Sequence, residues 1–109
     1  MNIAILLPYK ENYSKNQAGA VSIFVNDTNK ISKFKNSIEV YGSTENKPKL
    51  KNYINIKLKK NLLSSTTNQY LNNFIKLINK KKYDIIEIHN RPHYIPFLNK
   101  IKNTCKILF

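Results

Sequence analysis

A single cysteine, Cys105, among 109 residues excludes an internal disulfide framework, which one thiol cannot build. Its place in an apolar segment fits an inert buried thiol better than a nucleophile. No apolar stretch nears the roughly 20 residues that a membrane-spanning helix needs. The opening, Met1-Asn2-Ile3-Ala4-Ile5-Leu6-Leu7-Pro8, has no basic region, and its apolar run is too short for a secretory leader. A cytoplasmic location is the expectation. Glycine occurs only twice, and neither Gly-x-Gly-x-x-Gly nor Gly-x-x-x-x-Gly-Lys is present. A stand-alone α/β nucleotide or flavin binder would therefore lack both familiar phosphate fingerprints. Acidic residues number six, and Arg91 is the only arginine.

The scarcity of acids leaves a formal charge of +13, which raises the question of an anionic partner. Base edges and phosphates are gripped best by the arginine fork, and almost all of this charge is lysine. The lysines accompany abundant asparagine and isoleucine, a joint excess that an AT-rich genome produces without selection for one binding site. No specific nucleic acid is expected. The positive potential still attracts anionic surfaces in general, a membrane bearing anionic lipids as well as RNA. Solvated lysines with no dedicated partner account for the same count. An apolar content of 41% with regular hydrophobic runs argues for one small folded domain of modest stability.

Residues 3–7 form a continuous apolar run closed by Pro8, a buried strand entering a loop. The polar loop 9–17 is long for a strand-to-helix connection, which suits a functional loop. From 18 to 34, Val21, Phe24, Val25, Ile31 and Phe34 recur at helical spacing, with Ile23 widening the face. Residues 37–41 alternate and meet Gly42-Ser43, and 53–58 alternate again as a half-buried or edge strand. Ser64-Ser65-Thr66-Thr67 offers N-caps to a helix with the stripe Tyr70, Leu71, Phe74, Ile75, Leu77 and Ile78. Lys80-Lys81-Lys82 closes it, cations against the negative end of the dipole. A strand over 84–89, a short helix over 92–102 with Pro92 near its start, and a strand over 105–109 complete the pattern. Alternation of this kind means an α/β fold, a Rossmann-like parallel sheet with helices on both faces and right-handed crossovers.

Two loops leave the carboxyl ends of such strands with unusual composition. Ala18-Gly19-Ala20 opens a helix with small residues, which admit a ligand close to backbone N–H groups that favour a phosphate. Tight packing of a helix start is the alternative. Asp84-Ile85-Ile86-Glu87-Ile88-His89-Asn90-Arg91-Pro92-His93 runs from an apolar strand directly into polar groups. His89 could orient or bind hydroxyls, and Arg91 could pair with a carboxylate or phosphate. Satisfaction of nearby backbone by His89 and Asn90 would serve equally. Two histidines at this spacing have no obvious third metal ligand, and no serine or cysteine stands beside them.

These elements together resemble the N-terminal part of a family 4 glycosyltransferase, a retaining enzyme of GT-B architecture. The opening strand, the Ala18-Gly19-Ala20 turn with the following Val21-Ser22-Ile23-Phe24-Val25, and Asp-Ile-Ile-Glu-Ile-His-Asn-Arg-Pro carry the resemblance. The last is similar to versions in enzymes that build bacterial lipopolysaccharide and other surface glycans. The resemblance implies transfer of a sugar from a nucleotide diphosphate sugar to a glycan or lipid-linked acceptor, with no metal cofactor. It implies that Ala18, Gly19 and Ala20 lie near donor phosphates and acceptor, and that His89, Asn90, Arg91 and His93 line the acceptor side of the cleft. The family usually has two adjacent glycines at the turn, and Ala18 stands where the first is expected. A further His-containing motif and the donor-binding C-terminal domain, which the family places later, are absent from residues 1–109. The expectation is thus a partial acceptor-side domain, inactive by itself, and peripheral on the inner face of a membrane if its basic helices hold it there. A small basic module for nucleic acid or anionic membrane is the alternative, motivated by the charge and by the Lys57-Leu58-Lys59-Lys60 and Lys80-Lys81-Lys82 clusters.

Overall fold

The apolar run at the start becomes the centre of a sheet. The structure is a computed structural model that describes residues 1–11, 13–14, 19–44, 50–58, 65–101 and 106–108. In chain order it holds β1 (Ile3–Leu6), α1 (Ala20–Ile31), β2 (Ile38–Gly42), β3 (Tyr53–Asn55), α2 (Thr66–Ile78), β4 (Ile85–Ile88) and β5 (Lys106–Leu108). A 3-10 turn, Lys35–Ser37, precedes β2, and a longer 3-10 segment, Pro92–Lys100, follows β4. The strands lie in the order β3-β2-β1-β4-β5, and every neighbouring pair is parallel. The domain is α/β with a Rossmann-like sheet, the fold class that the alternating pattern indicates.

Period-two alternation divides the core between two faces. Ala4 and Leu6 of β1 join Tyr41, Ile86 and Ile88 beneath Tyr70, Leu71, Phe74, Ile75 and Ile78 of α2. Tyr94 and Leu98 of the 3-10 segment complete that side. Ile5 and Leu7 point the other way, with Ile38 and Val40, against Val25 of α1. Burying each large apolar side chain contributes about 1.5–3 kcal/mol, so the five buried residues of α2 anchor the fold. Of the four candidate caps, Ser65 is the one used: its side chain accepts from the Asn68 backbone N–H at 3.1 Å. Cys105 and Ser64 lie outside the described residues, as do Lys59 and Lys60.

Three elements differ from the sequence pattern. The apolar stripe of α1 is buried only in part: Val25 is in the core with Val21 and Phe34 packed beside it, Ser22 shares the inner face, and Phe24 is 58% and Ile31 86% exposed. Among the described residues no helix flanks α1 on the sheet, so its sides stay uncovered. The segment after β4 is 3-10 rather than α, because Pro96 inside it has no N–H to bond back and its ring would collide with the preceding turn. The third strand stops at Asn55, although Ile56 beyond it is buried, its N–H donating to the Gly42 carbonyl at 2.7 Å. No helix among the described residues is long and apolar enough to cross a membrane.

One polar chain crosses the α2 face near the strand starts. Tyr83 donates to Glu39 Oε1 at 2.8 Å, so the Tyr41 hydroxyl, 2.5 Å from that of Tyr83, is the donor in their shared bond. Lys81 pairs with the same Glu39 oxygen. Burial pushes the Glu39 carboxyl up, but the hydrogen bonds from Lys81 and Tyr83, with the Lys81 charge, outweigh it and leave it below the usual carboxylate range.

Candidate functional site

The chain runs from β1 outward to β2 and β3, then returns to β4 on the other side of β1. The order therefore reverses between β1 and β4, whose ends stand side by side with Leu6 beside Ile88. A crevice outside the carboxyl ends of strands at such a reversal is where α/β sheets bind ligands. Both loops singled out by composition open there.

The first loop is shaped by a tight turn. Leu7 and Pro8 are buried, Lys10 takes a left-handed conformation with φ of 70°, and the Glu11 N–H donates to the Pro8 carbonyl at 3.1 Å. This turn delivers Glu11 to the start of α1, where its Oε2 accepts from the Ser22 N–H at 3.2 Å. Gly19 is the N-cap, with an ordinary extended backbone. The sequence reading leaves this helix end open to a phosphate, but a carboxylate of the chain itself stands in the anion's place. Glycine is needed at 19 for room rather than for backbone freedom, since a Cβ there would fall inside the Glu11 carboxylate. Ala20 is exposed on the first turn. Ala18 lies outside the described residues.

The second loop continues from the α1 face of β4. His89 packs edge-on against Phe24, ring centres 6.0 Å apart. Its Nε2 is 3.4 Å from Glu87 Oε2, yet it is shielded from solvent without an aligned hydrogen bond. The Ser22 hydroxyl on the first turn of α1 is likewise buried without a partner. They are the two such side-chain atoms among the described residues. Each orphaned group costs about 1–3 kcal/mol, a cost that clusters at functional sites. Asn90 adopts φ of 55°, a left-handed conformation that Asn tolerates. Arg91 Nη1 donates to the Asn90 carbonyl at 2.7 Å, so this arginine braces its own turn. His93 is exposed, its ring 4.8 Å from that of Tyr94.

Tyrosines tie the two loops together. The Tyr9 N–H donates to the Tyr94 hydroxyl at 3.1 Å, and Tyr70 donates to the Leu7 carbonyl at 2.6 Å. Ring centres of Tyr9 and Tyr70 are 5.5 Å apart, and those of Tyr70 and Tyr94 are 6.4 Å apart. Burial pushes the Tyr70 hydroxyl well above its ordinary range, so it remains a donor. The loops are thus positioned by α2 and by the 3-10 segment from the opposite face of the sheet. Sequence reasoning missed Glu11, Ser22, Tyr9 and Tyr94. The spacing of Glu11 from the helix start matches no capping box, so only the folded turn reveals it.

Near the carboxyl ends of β1 and β4 the chain places the Glu11 carboxylate and the Arg91 guanidinium, with the Glu87 carboxylate, the His89 Nε2 and the Ser22 hydroxyl close by, the last two shielded from solvent. Such groups can both donate to and accept from the hydroxyls of a polyol. Among the described residues no three His, Cys, Asp or Glu side chains converge to hold a metal. The chain matches no protein-family model, no curated protein and no solved structure.

Proposed function

We propose that the chain forms the acceptor-side domain of a retaining glycosyltransferase that uses a nucleotide-sugar donor and a glycan or lipid-linked acceptor. One observation carries this reading: the turn at Gly19 and the strand end His89-Asn90-Arg91 converge at the strand-order reversal between β1 and β4. The groups gathered there suit an acceptor sugar. Glu11 and Glu87 accept hydrogen bonds from hydroxyls, and the buried His89 Nε2 and Ser22 hydroxyl hold capacity that a ligand reaches only by opening the helix start. Arg91, on the same edge, counters the charge of a diphosphate arriving with the donor. A donor phosphate reaches the N–H groups of α1 only by displacing Glu11, so acceptor binding is the primary task assigned to this half. The donor-binding half of such an enzyme is not among residues 1–109, and a second α/β domain would have to supply it.

The site of action is the cytoplasmic face of a membrane. Support comes from α1, where Ile23, Phe24 and Ile31 are exposed beside the exposed Lys30 and Lys33, an apolar and cationic combination suited to an anionic bilayer surface. The test is transfer itself. The product of the uninterrupted reading frame through Phe109 is incubated with radiolabelled nucleotide sugars and a lipid extract. Label moving to an acceptor, and lost in His89→Ala, supports the reading. No transfer from any nucleotide sugar, or a reading frame without a second α/β domain, refutes it.

A further inference from the structure

We propose that a second concave site, at the opposite end of the sheet from the β1/β4 crevice, binds phosphate esters that carry hydroxyl groups. It is a cavity of about 600 Å³ on the α1 face, beside the starts of β2 and β3. Three separate segments bring a lysine to its wall: Lys30 from the last turn of α1, Lys35 from the 3-10 turn, and Lys51 from the turn before β3. Asn26, Asn29 and Asn36 stand between them. No carboxylate is among the described residues that line it.

Parallel strands are normally joined by a crossover helix lying on the sheet. Among the described residues no helix separates β2 from β3, and α1 is the one helix on this face, with Tyr13 and Leu50 packed beside it. The exposed floor is nevertheless fixed. Asn52, in a left-handed conformation with φ of 57°, donates from its side chain to the Lys35 carbonyl at 3.2 Å. Its own carbonyl accepts from the Val40 N–H at 2.8 Å. Tyr13 closes one end, stacked on Tyr53 with ring centres 5.8 Å apart and held by its N–H to Thr44 Oγ1 at 3.0 Å. The Leu50 N–H donates to the Tyr13 carbonyl at 3.3 Å. A floor and one end held by these bonds do not need to be ordered by a ligand.

Chemistry selects the ligand class. Lysine ammonium groups are compact point charges that suit a phosphate monoester or diester. Asparagine amides carry both donors and acceptors, the complement of hydroxyl groups. Lys30 also offsets the negative end of the α1 dipole, which would otherwise repel an anion here. A cavity of this volume takes one small molecule or one headgroup rather than a polymer. The site does not depend on the glycosyltransferase reading: it shares no residue with the β1/β4 strand ends, and only Lys30 with the exposed side of α1.

The experiment is amide chemical-shift titration of the isotope-labelled chain with glucose 6-phosphate, with glucose, and with monomeric dihexanoyl phosphatidylglycerol. Saturable shifts at Asn26, Asn29, Asn36 and Lys51 with a phosphate ester, and none with glucose, are expected. The sugar phosphate and the lipid distinguish a soluble ester from a headgroup, and binding of either at these residues supports the site. The triple variant Lys30→Gln, Lys35→Gln, Lys51→Gln should weaken binding roughly tenfold, about twofold per exposed cation. Lys76→Gln, Lys80→Gln, Lys82→Gln removes the same charge from α2 and the turn after it, and should change affinity less than about twofold. Equal weakening by both triples, equal binding of glucose, or shifts scattered away from the groove would overturn the proposal.

Discussion

Removing the Glu11 carboxylate should destabilise the domain and open the start of α1 to anions. Its Oε2 receives the Ser22 N–H at 3.2 Å and sits where the helix dipole is positive. A charge there contributes about 0.3–1 kcal/mol, and loss of a capping acceptor costs about 1 kcal/mol. Glu11→Gln should therefore lose the smaller amount and Glu11→Ala about 1–2 kcal/mol. For a domain near this size each kcal/mol lowers Tm by about 4–8 °C, well within reach of a circular-dichroism melt. The conflict at Gly19 supplies a sharper test, because the three atoms nearest to a Cβ there all belong to Glu11. Gly19→Ala should cost stability in the native background by driving that carboxylate out. In the Glu11→Ala background the same change should be nearly neutral, since the backbone at 19 is one that alanine adopts. Equal damage from Gly19→Ala in both backgrounds, or a Glu11→Ala melt within 1 °C or so of native, would refute the assignment of Glu11 to the helix end.

Two further perturbations probe how the site is held. Tyr70→Phe removes the donor to the Leu7 carbonyl while keeping the ring, and should cost about 1–2 kcal/mol in a urea titration, with an unchanged slope; no loss would mean that α2 does not fix the β1 loop through this bond. Glu39 titrates below the ordinary glutamate value of about 4.3, so its contribution is complete above that pH and is lost as pH falls through its lowered folded value. Lys81 is half exposed, which keeps the gain under about 1 kcal/mol. The stability difference between native protein and Glu39→Gln should shrink as pH falls from 5 to about 3, and a constant difference across that range would contradict the Tyr83–Glu39–Lys81 connection.

The fold was legible because its strongest signals are local. Residues 3–7 are apolar without interruption and 85–88 are apolar but for Glu87, as suits central parallel strands, and the stripe from Tyr70 to Ile78 repeats with helical period. These force an alternating α/β order, and right-handed crossovers then leave few ways to arrange it. What could not be read depends on neighbours. Phe24 and Ile31 look like core at their spacing, yet burial is decided by what covers a helix from the side, and here Ser22 takes the inner position. The nine-residue 3-10 segment follows from Pro96, a residue whose meaning changes with its place in a helix. Gly19 and His89 were visible as candidates through composition at strand ends. Glu11 was not, because the turn at Lys10 that carries it to α1 leaves no spacing rule in the sequence.

The central claim is that the Gly19 turn and the His89-Asn90-Arg91 strand end form one ligand site. Amide chemical-shift mapping during titration with uridine diphosphate and guanosine diphosphate, repeated with Arg91→Gln, tests it most directly. Saturable shifts confined to Gly19, Ala20, Ser22 and residues 89–91, weakened in the variant and stronger in Glu11→Ala, are the predicted result. Shifts spread over the lysine surface and unaffected by either substitution would contradict it.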